Sequence, residues 1–236
     1  MKLILHLCLV TFAVSLLAET QQPPAQTSYG VGVLFENRVL GQMMGKKPTS
    51  LWTIPGEANR ANPGTPALVR FQKWGTPIYL GEALDQIKLA EDFEFIVGFY
   101  EPEKNGKSLK VVALHQITVI PERWHQLWGT LKTNDMMRLQ AIAKTGAIDA
   151  AQQIVGKEIT SIRPLTGGMD IFPVINTEQR RIYCSIPFQV FYRFFLGDAS
   201  PAPQRRLMLW GRPFPAFLPL DEMLAVPAAA QTSAKK

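Results

Sequence analysis

The residues of this chain best suited to acid–base chemistry are two histidines and a pair of carboxylates. His115 and His125 lie in the central third of the chain, and Asp92 and Glu94, two positions apart, precede the first of them by about twenty residues. Such groups can act as general acids and bases, and glycosidases need only two carboxylates. Apolar residues flank His115, and His125 lies beside the apolar stripe of a predicted helix, so packing explains each histidine more simply. We leave the catalytic residues unassigned and keep a hydrolase with a dispersed carboxylate/His site as an alternative.

Signatures of nucleophilic catalysis, phosphate binding and metal binding do not occur in the sequence. It contains no Gly-x-Ser-x-Gly nucleophile elbow and no Gly-x-x-x-x-Gly-Lys loop. Zinc needs three or four ligands at suitable spacing, which the few histidines and cysteines do not supply. Lysines and arginines give a formal net charge of +6 but are scattered, whereas nucleic-acid binding concentrates them on one face. The sequence thus predicts no metal, no cofactor and no nucleic-acid partner.

Tryptophans are the remaining residues with a functional implication. Trp124 and Trp128 lie on the apolar stripe of a predicted helix and are expected in the core, whereas Trp52 and Trp74 lie in the Pro/Gly-rich stretch from Pro48 to Pro77. Exposed aromatic side chains can bind ligands, and loops carry function more often than the elements they connect. We therefore predict Trp52 and Trp74 as ligand-binding residues.

The N-terminus has the pattern of a signal peptide. Lys2 precedes a largely apolar run from Leu3 to Leu17. A helix that crosses a membrane needs roughly 20 apolar residues, so this run is short for a span, and Ala18 offers the small residue that a signal peptidase requires. We predict that residues 1–18 are removed, that no membrane span remains and that the mature protein is periplasmic or extracellular. Retention of the segment as a membrane anchor is the alternative.

The rest of the chain is expected to form one domain. Cys8 leaves with the signal peptide, so Cys184 is the sole cysteine of the mature chain and no intramolecular disulfide can form. The fold must then be stabilised by its own hydrophobic core. Residues 19–28 are polar and proline-containing and predict a flexible lead-in, residues 29–226 a single domain, and residues 227–236 a disordered tail.

The first half of the domain combines helical and strand periodicity. Apolar spacing predicts a helix over residues 81–91, and alternation from Phe93 to Phe99 predicts a strand. A second strand, from Ser108 to Ile120, is apolar on both faces and should be central. A hairpin turn at Asn105-Gly106 would pair Glu101 with Lys110 and Phe99 with Val112. Pro121 then starts a helix that carries the two core tryptophans.

The second half is predicted to be helical first and extended afterwards. Gly146 interrupts a helical run from Asp135 to Val155, which is either one helix or two shorter ones. A strand from Ile171 to Ile175 pairs with a long strand from Arg181 to Leu196, bent near Pro187, and a further strand covers Leu207 to Trp210.

Grouped helices and grouped strands indicate an α+β domain, with a mostly antiparallel sheet and three to four helices packed on it. With a substantial core and no assembled catalytic motif, the leading functional hypothesis is an exported, noncatalytic binding or structural domain. Its partner would be a protein, an envelope component or a small molecule.

Overall fold

The computed structural model describes residues 67–104 and 106–220, together with the helical residues Gly32, Phe35, Glu36, Arg38 and Val39. The predicted leader, lead-in and tail, as well as Trp52 and Asn105, lie outside the described residues. From Ala67 onward the described chain contains nine strands and five α-helices, in the order β1 (Ala67–Lys73), β2 (Ile78–Glu82), α1 (Ala83–Gln86), β3 (Phe93–Pro102), β4 (Ser108–Val119), α2 (Pro121–Trp128), α3 (Thr133–Lys144), α4 (Ile148–Ile162), β5 (Asp170–Ile175), β6 (Arg180–Ile186), α5 (Phe188–Phe191), β7 (Met208–Leu209), β8 (Arg212–Pro213) and β9 (Phe217–Pro219).

The strands form two main sheets and a short ribbon. The first sheet has the order β1-β3-β4-β9, the second has the order β2-β6-β5, and β7 pairs with β8. Only the β1–β3 pair is parallel, and the other pairs are antiparallel. The protein is therefore an α+β protein with antiparallel-dominated sheets, as its sequence predicts.

The β3–β4 hairpin is the centre of the first sheet. Glu101 pairs with Lys110 as expected, but Phe99 pairs with Ala113 and not with Val112, because the register shifts between Phe99 and Tyr100. A β-bulge of this kind inserts an extra residue into one strand and cannot be inferred from alternation alone. β4 pairs with β3 along most of its length and with β9 at Ser108–Lys110, and it is buried on both faces from Val111 to Leu114. The prediction of a central strand covered on both sides is therefore confirmed for the first half of β4, whereas Gln116 and Thr118 in the second half are exposed.

Both faces of the first sheet are covered by apolar side chains. The face that we call the inner face packs on α2, α5 and the second sheet, where Phe95 meets the rings of Trp124 and Phe191 at centroid distances of 5.8 Å and 5.9 Å. On the opposite, outer face, the ring of Phe35 stacks on Phe71 at 4.2 Å. The first sheet is thus the middle layer between two hydrophobic clusters.

Gly98 is required where the outer cluster lies closest to the sheet. A Cβ atom at this position would lie 2.5 Å from the Phe35 ring and 2.7 Å from the Phe71 ring, which is closer than van der Waals contact permits. Because Gly98 has no side chain, the two stacked rings can lie directly against the backbone of β3.

Each helical segment that the sequence predicts contains a helix, although several bounds differ from the prediction. Pro121 occupies the first turn of α2, and Trp124, Leu127 and Trp128 are buried as expected. Gly146, with φ of 74°, separates α3 from α4, so the two-helix interpretation of this run is confirmed. The predicted helix over 81–91 is much shorter, because α1 ends at Gln86.

The long strand predicted from Arg181 to Leu196 is wrong beyond Ile186. Pro187 is the N-cap of α5, and a π-helical turn, Tyr192–Leu196, continues it. Alternate residues of this segment are apolar, but so are positions at helical spacing: Phe188, Phe191 and Phe195 are all buried. The segment satisfies both periods, and helical packing against the first sheet decides between them.

Arg70 of β1 connects the two sheets. Its Nη2 donates a hydrogen bond of 2.5 Å to the carbonyl oxygen of Leu80, at the irregular part of β2, and its Nη1 lies 3.6 Å from Oε1 of Glu36. Burial lowers the pKa of Arg70 and raises the pKa of Glu36, while the attraction between the two groups opposes both shifts. One guanidinium therefore joins β1, β2 and the helical segment that contains Glu36.

Candidate functional site

Three chain segments border an open, shallow groove of about 750 Å³. The first segment is the turn between β1 and β2, the second is the start of α5, and the third is the loop that follows the π-helical turn. The groove is lined by Trp74, Gly75, Pro77, Pro187, Phe188, Gln189, Ala199, Ser200 and Pro201.

Trp74 is held in the groove by three rings of the core. Its ring lies 5.7 Å from Phe99, 5.0 Å from Phe188 and 5.9 Å from Tyr192, with interplanar angles of 86°, 76° and 73°. Edge-to-face packing of this kind is the favoured geometry of aromatic pairs. Trp74 is partly exposed, so the three core rings fix its orientation while part of its indole remains accessible to solvent.

The turn that presents Trp74 is closed by hydrogen bonds to the last residue of β1. Thr76 donates to the carbonyl oxygen of Lys73 through its backbone nitrogen at 3.1 Å and through its hydroxyl at 2.7 Å. Gly75 has φ of 81°, a value that favours glycine. The backbone nitrogen of Trp74 also donates to the carbonyl oxygen of Tyr100, which extends the β1–β3 pairing by one residue.

The third wall of the groove is a loop anchored to the π-helical turn. Gly197 adopts the left-handed conformation, which ends the helix, and the backbone nitrogen of Asp198 donates to the carbonyl oxygen of Tyr192 at 3.1 Å. The carboxylate of Asp198 then accepts a hydrogen bond of 2.8 Å from the backbone nitrogen of Ser200. Ala199 and Pro201 are thereby positioned opposite the tryptophan turn.

A chain of hydrogen bonds connects β4 to the ring that supports Trp74. Leu114 donates its backbone N–H to Oε1 of Gln204 at 2.9 Å, so the amide nitrogen of Gln204 faces Nδ1 of His115 at 3.4 Å. Nε2 of His115 lies 3.0 Å from the phenol oxygen of Tyr192. This order assigns Nδ1 as an acceptor and Nε2–H as the donor to Tyr192, which describes a neutral imidazole.

Burial keeps both members of the His115–Tyr192 pair uncharged. Desolvation lowers the pKa of His115 from 6.5 to about 4, against a smaller opposing effect of Asp198. Desolvation also raises the pKa of Tyr192, and the negative charge of Asp198 adds to that rise. The prediction that both ring nitrogens of His115 are satisfied agrees with these contacts, although the side chain is partly rather than fully buried.

The other predicted acid–base residues lie apart from His115. Both carboxylate oxygens of Glu94 accept hydrogen bonds from β4, from Gln116 at 3.0 Å and Thr118 at 2.7 Å. His125 is exposed on α2, with Nε2 lying 3.1 Å from the carbonyl oxygen of Ile87. Within the described residues, neither histidine is hydrogen-bonded to Asp92 or Glu94, and no group of three or more His, Cys, Asp and Glu side chains could hold a metal ion.

Of the two tryptophans predicted to bind a ligand, Trp74 lines the groove and Trp52 lies outside the described residues. Gly75 and Pro77 belong to the same Pro/Gly-rich stretch as Trp74, but sequence reasoning does not identify the other two walls, because it predicts a strand through Pro187, Phe188 and Gln189. The available signal was Pro187 followed by aromatic residues at helical spacing, a pattern that also predicts a helix start.

Comparisons of the chain with protein-family models, with curated proteins and with solved structures find no match. None of the helices in the described ranges combines the length and the apolar character needed to cross a membrane.

Proposed function

We propose that this protein is an exported, noncatalytic binding domain and that its ligand lies in the groove beside Trp74. The observation that carries the proposal is the partly exposed indole of Trp74, held edge-to-face on three core rings at the base of a groove of about 750 Å³. A rigid, amphipathic aromatic side chain provides a large contact area and loses little conformational entropy on binding.

The chemistry of the groove favours binding over catalysis. None of the nine residues that line it has an ionisable side chain. The nearest histidine, His115, uses both ring nitrogens in contacts with Gln204 and Tyr192, and its lowered pKa is poorly matched to a general base that acts near neutral pH.

Export is supported by the N-terminal sequence. The apolar run of residues 3–17 has the length of a signal-peptide core, and Ala18 offers the small residue that a signal peptidase requires. N-terminal sequencing of the protein from secreted or periplasmic fractions should begin close to residue 19. An intact Met1 in the cytosol would contradict export, and an intact Met1 in membranes would support the anchored alternative.

Fluorine NMR can test the groove without knowledge of the natural ligand. Biosynthetic incorporation of 5-fluorotryptophan labels all five tryptophans, and the Trp74 resonance is assigned as the one missing from Trp74→Phe. In a screen of neutral apolar and aromatic fragments, we expect the Trp74 resonance to shift in a saturable way while the core resonances stay unchanged.

Trp210→Phe is the matched control for Trp74→Phe. Trp210 is also partly buried, but it packs against the outer-face cluster and does not line the groove. Fragments that shift the Trp74 resonance should bind Trp210→Phe as they bind the unchanged protein. A screen in which no fragment shifts the Trp74 resonance, or in which all tryptophan resonances shift together, would contradict the proposed binding site.

A further inference from the structure

We propose that the groove beside Trp74 binds a neutral, extended, proline-containing segment of a partner protein. This inference rests on the proposed function and specifies the class of ligand that the groove takes. It follows from three properties of the groove: its lining side chains are uncharged, several of them can donate hydrogen bonds, and its walls are rigid.

The first property is electrostatic. All nine lining side chains are uncharged, and the two ionisable residues that flank them in sequence, Lys73 before Trp74 and Asp198 before Ala199, carry opposite charges. A charged ligand would lose part of its hydration on contact with the groove and would gain no counter-charge among the lining side chains, which is unfavourable. A neutral segment is the electrostatic complement of this surface.

The second property is the capacity to donate hydrogen bonds. The polar side chains of the lining are Trp74, whose indole nitrogen only donates, and Gln189 and Ser200, which donate and accept. Within the part of the chain that the structure describes, these three side-chain groups have no hydrogen-bond partner. Proline supplies a carbonyl acceptor and has no N–H that would need an acceptor in return. A proline-containing segment therefore matches the donors of the groove.

The third property is rigidity. Pro77, Pro187 and Pro201 place one proline in each wall, and Trp74 is held by its three ring contacts. Polyproline II segments are extended before binding, and aromatic-lined grooves recognise them through ring packing. Because the groove and a polyproline II segment are both ordered before they meet, little conformational entropy is lost on association.

Titrations of the fluorotryptophan-labelled mature protein test this inference with four probes of similar length. They are an acetylated and amidated hexapeptide Pro-Pro-Ala-Pro-Pro-Ala, the same peptide with serine at each proline, the same peptide with glutamate at each alanine, and a neutral glucose hexasaccharide. We expect the proline peptide to shift the Trp74 resonance and to bind at least about tenfold more tightly than each other probe, a difference of about 1.4 kcal/mol.

Two variants connect this signal to the groove. Gln189→Ala removes an exposed hydrogen-bond donor and should weaken binding of the proline peptide several-fold, whereas Gln126→Ala, an exposed glutamine of α2 that does not line the groove, should leave its affinity unchanged. Equal loss in both variants would contradict the assignment of the peptide to this groove.

The possible outcomes separate the two proposals. If apolar fragments or the hexasaccharide shift the Trp74 resonance and the proline peptide does not, the ligand class is wrong and the binding site stands. Equal binding of the serine or glutamate peptide overturns the ligand class in the same way. If neither the fragments nor any of the four probes shifts that resonance, both proposals fail together.

Discussion

Nε2 of His115 lies 3.0 Å from the phenol oxygen of Tyr192, and this contact joins the central strand of the first sheet to the ring that supports Trp74. His115 is in β4, whereas Tyr192 begins the π-helical turn that follows α5. The groove is therefore not an isolated surface feature. Trp74 is connected through Tyr192 and this partly buried polar contact to the middle of the fold.

The first prediction concerns stability in acid. The pKa of His115 is lowered to about 4 in the folded protein from 6.5, so the unfolded chain binds more protons between these values. The contribution of neutral His115 to the free energy of unfolding should be complete above about pH 6.5. It should decrease as the pH drops toward 4, by up to roughly 3 kcal/mol. Tyr192 and Asp198 are the ionisable groups that face this imidazole. Urea unfolding of the mature protein between pH 4 and 7 measures the slope.

His115→Gln should flatten that dependence, because glutamine keeps hydrogen-bonding capacity and does not titrate. His125→Gln is the control, since His125 is exposed on α2, and it should retain the slope of the unchanged protein. An equally steep slope in His115→Gln would show that another group is responsible.

The second prediction concerns the guanidinium that connects the sheets. Arg70→Met keeps most of the side-chain volume but leaves the carbonyl oxygen of Leu80 without its donor and Glu36 without its counter-charge. We expect a loss of about 1–3 kcal/mol in the free energy of unfolding. Arg138→Met, which breaks the exposed pair with Glu158, should cost less than about 1 kcal/mol. Equal costs in the two variants would mean that the Arg70 contacts add little to stability.

The third prediction contrasts two glycines. Gly98→Ala places a methyl group 2.5 Å from the Phe35 ring, and overpacking of this kind costs about 1–3 kcal/mol. Gly156→Ala, inside α4 with no atom within 4 Å of the new Cβ, should stabilise the protein by up to about 1 kcal/mol. Thermal unfolding of both variants compares the signs, and a neutral Gly98→Ala would show that the rings move aside freely.

The fourth prediction uses Cys184 as a probe of unfolding. The thiol is fully buried, and burial raises its pKa, so in the mature chain a thiol reagent should react slowly with the native protein and rapidly in denaturant. The reaction is followed by absorbance at neutral pH, with the urea-unfolded protein as the reference rate. Rapid labelling under native conditions would indicate that β6 opens easily.

Much of the architecture follows from short stretches of sequence. Local periodicity specifies several elements. Aromatic residues alternate around Phe95 in β3, apolar residues occupy both faces of β4, and an apolar stripe marks the helix that begins at Pro121. Gly146 marks the break between α3 and α4 because a residue with positive φ ends a helix. These features were predictable because each depends on neighbours within a few residues.

Trp74 was predictable as a candidate, but the groove around it was not. Its first wall lies more than a hundred residues before the other two in the chain, and only the packing of α5 against the first sheet brings them together. From Phe188 to Phe195 the sequence satisfies strand and helix periodicity alike, so local preference leaves the conformation open. Burial of Phe191 and Phe195 against Phe95 selects the helix, because tertiary contacts outweigh small differences in local propensity. The residue types at the site were thus present in the sequence, while their meeting in one groove was decided by the tertiary structure.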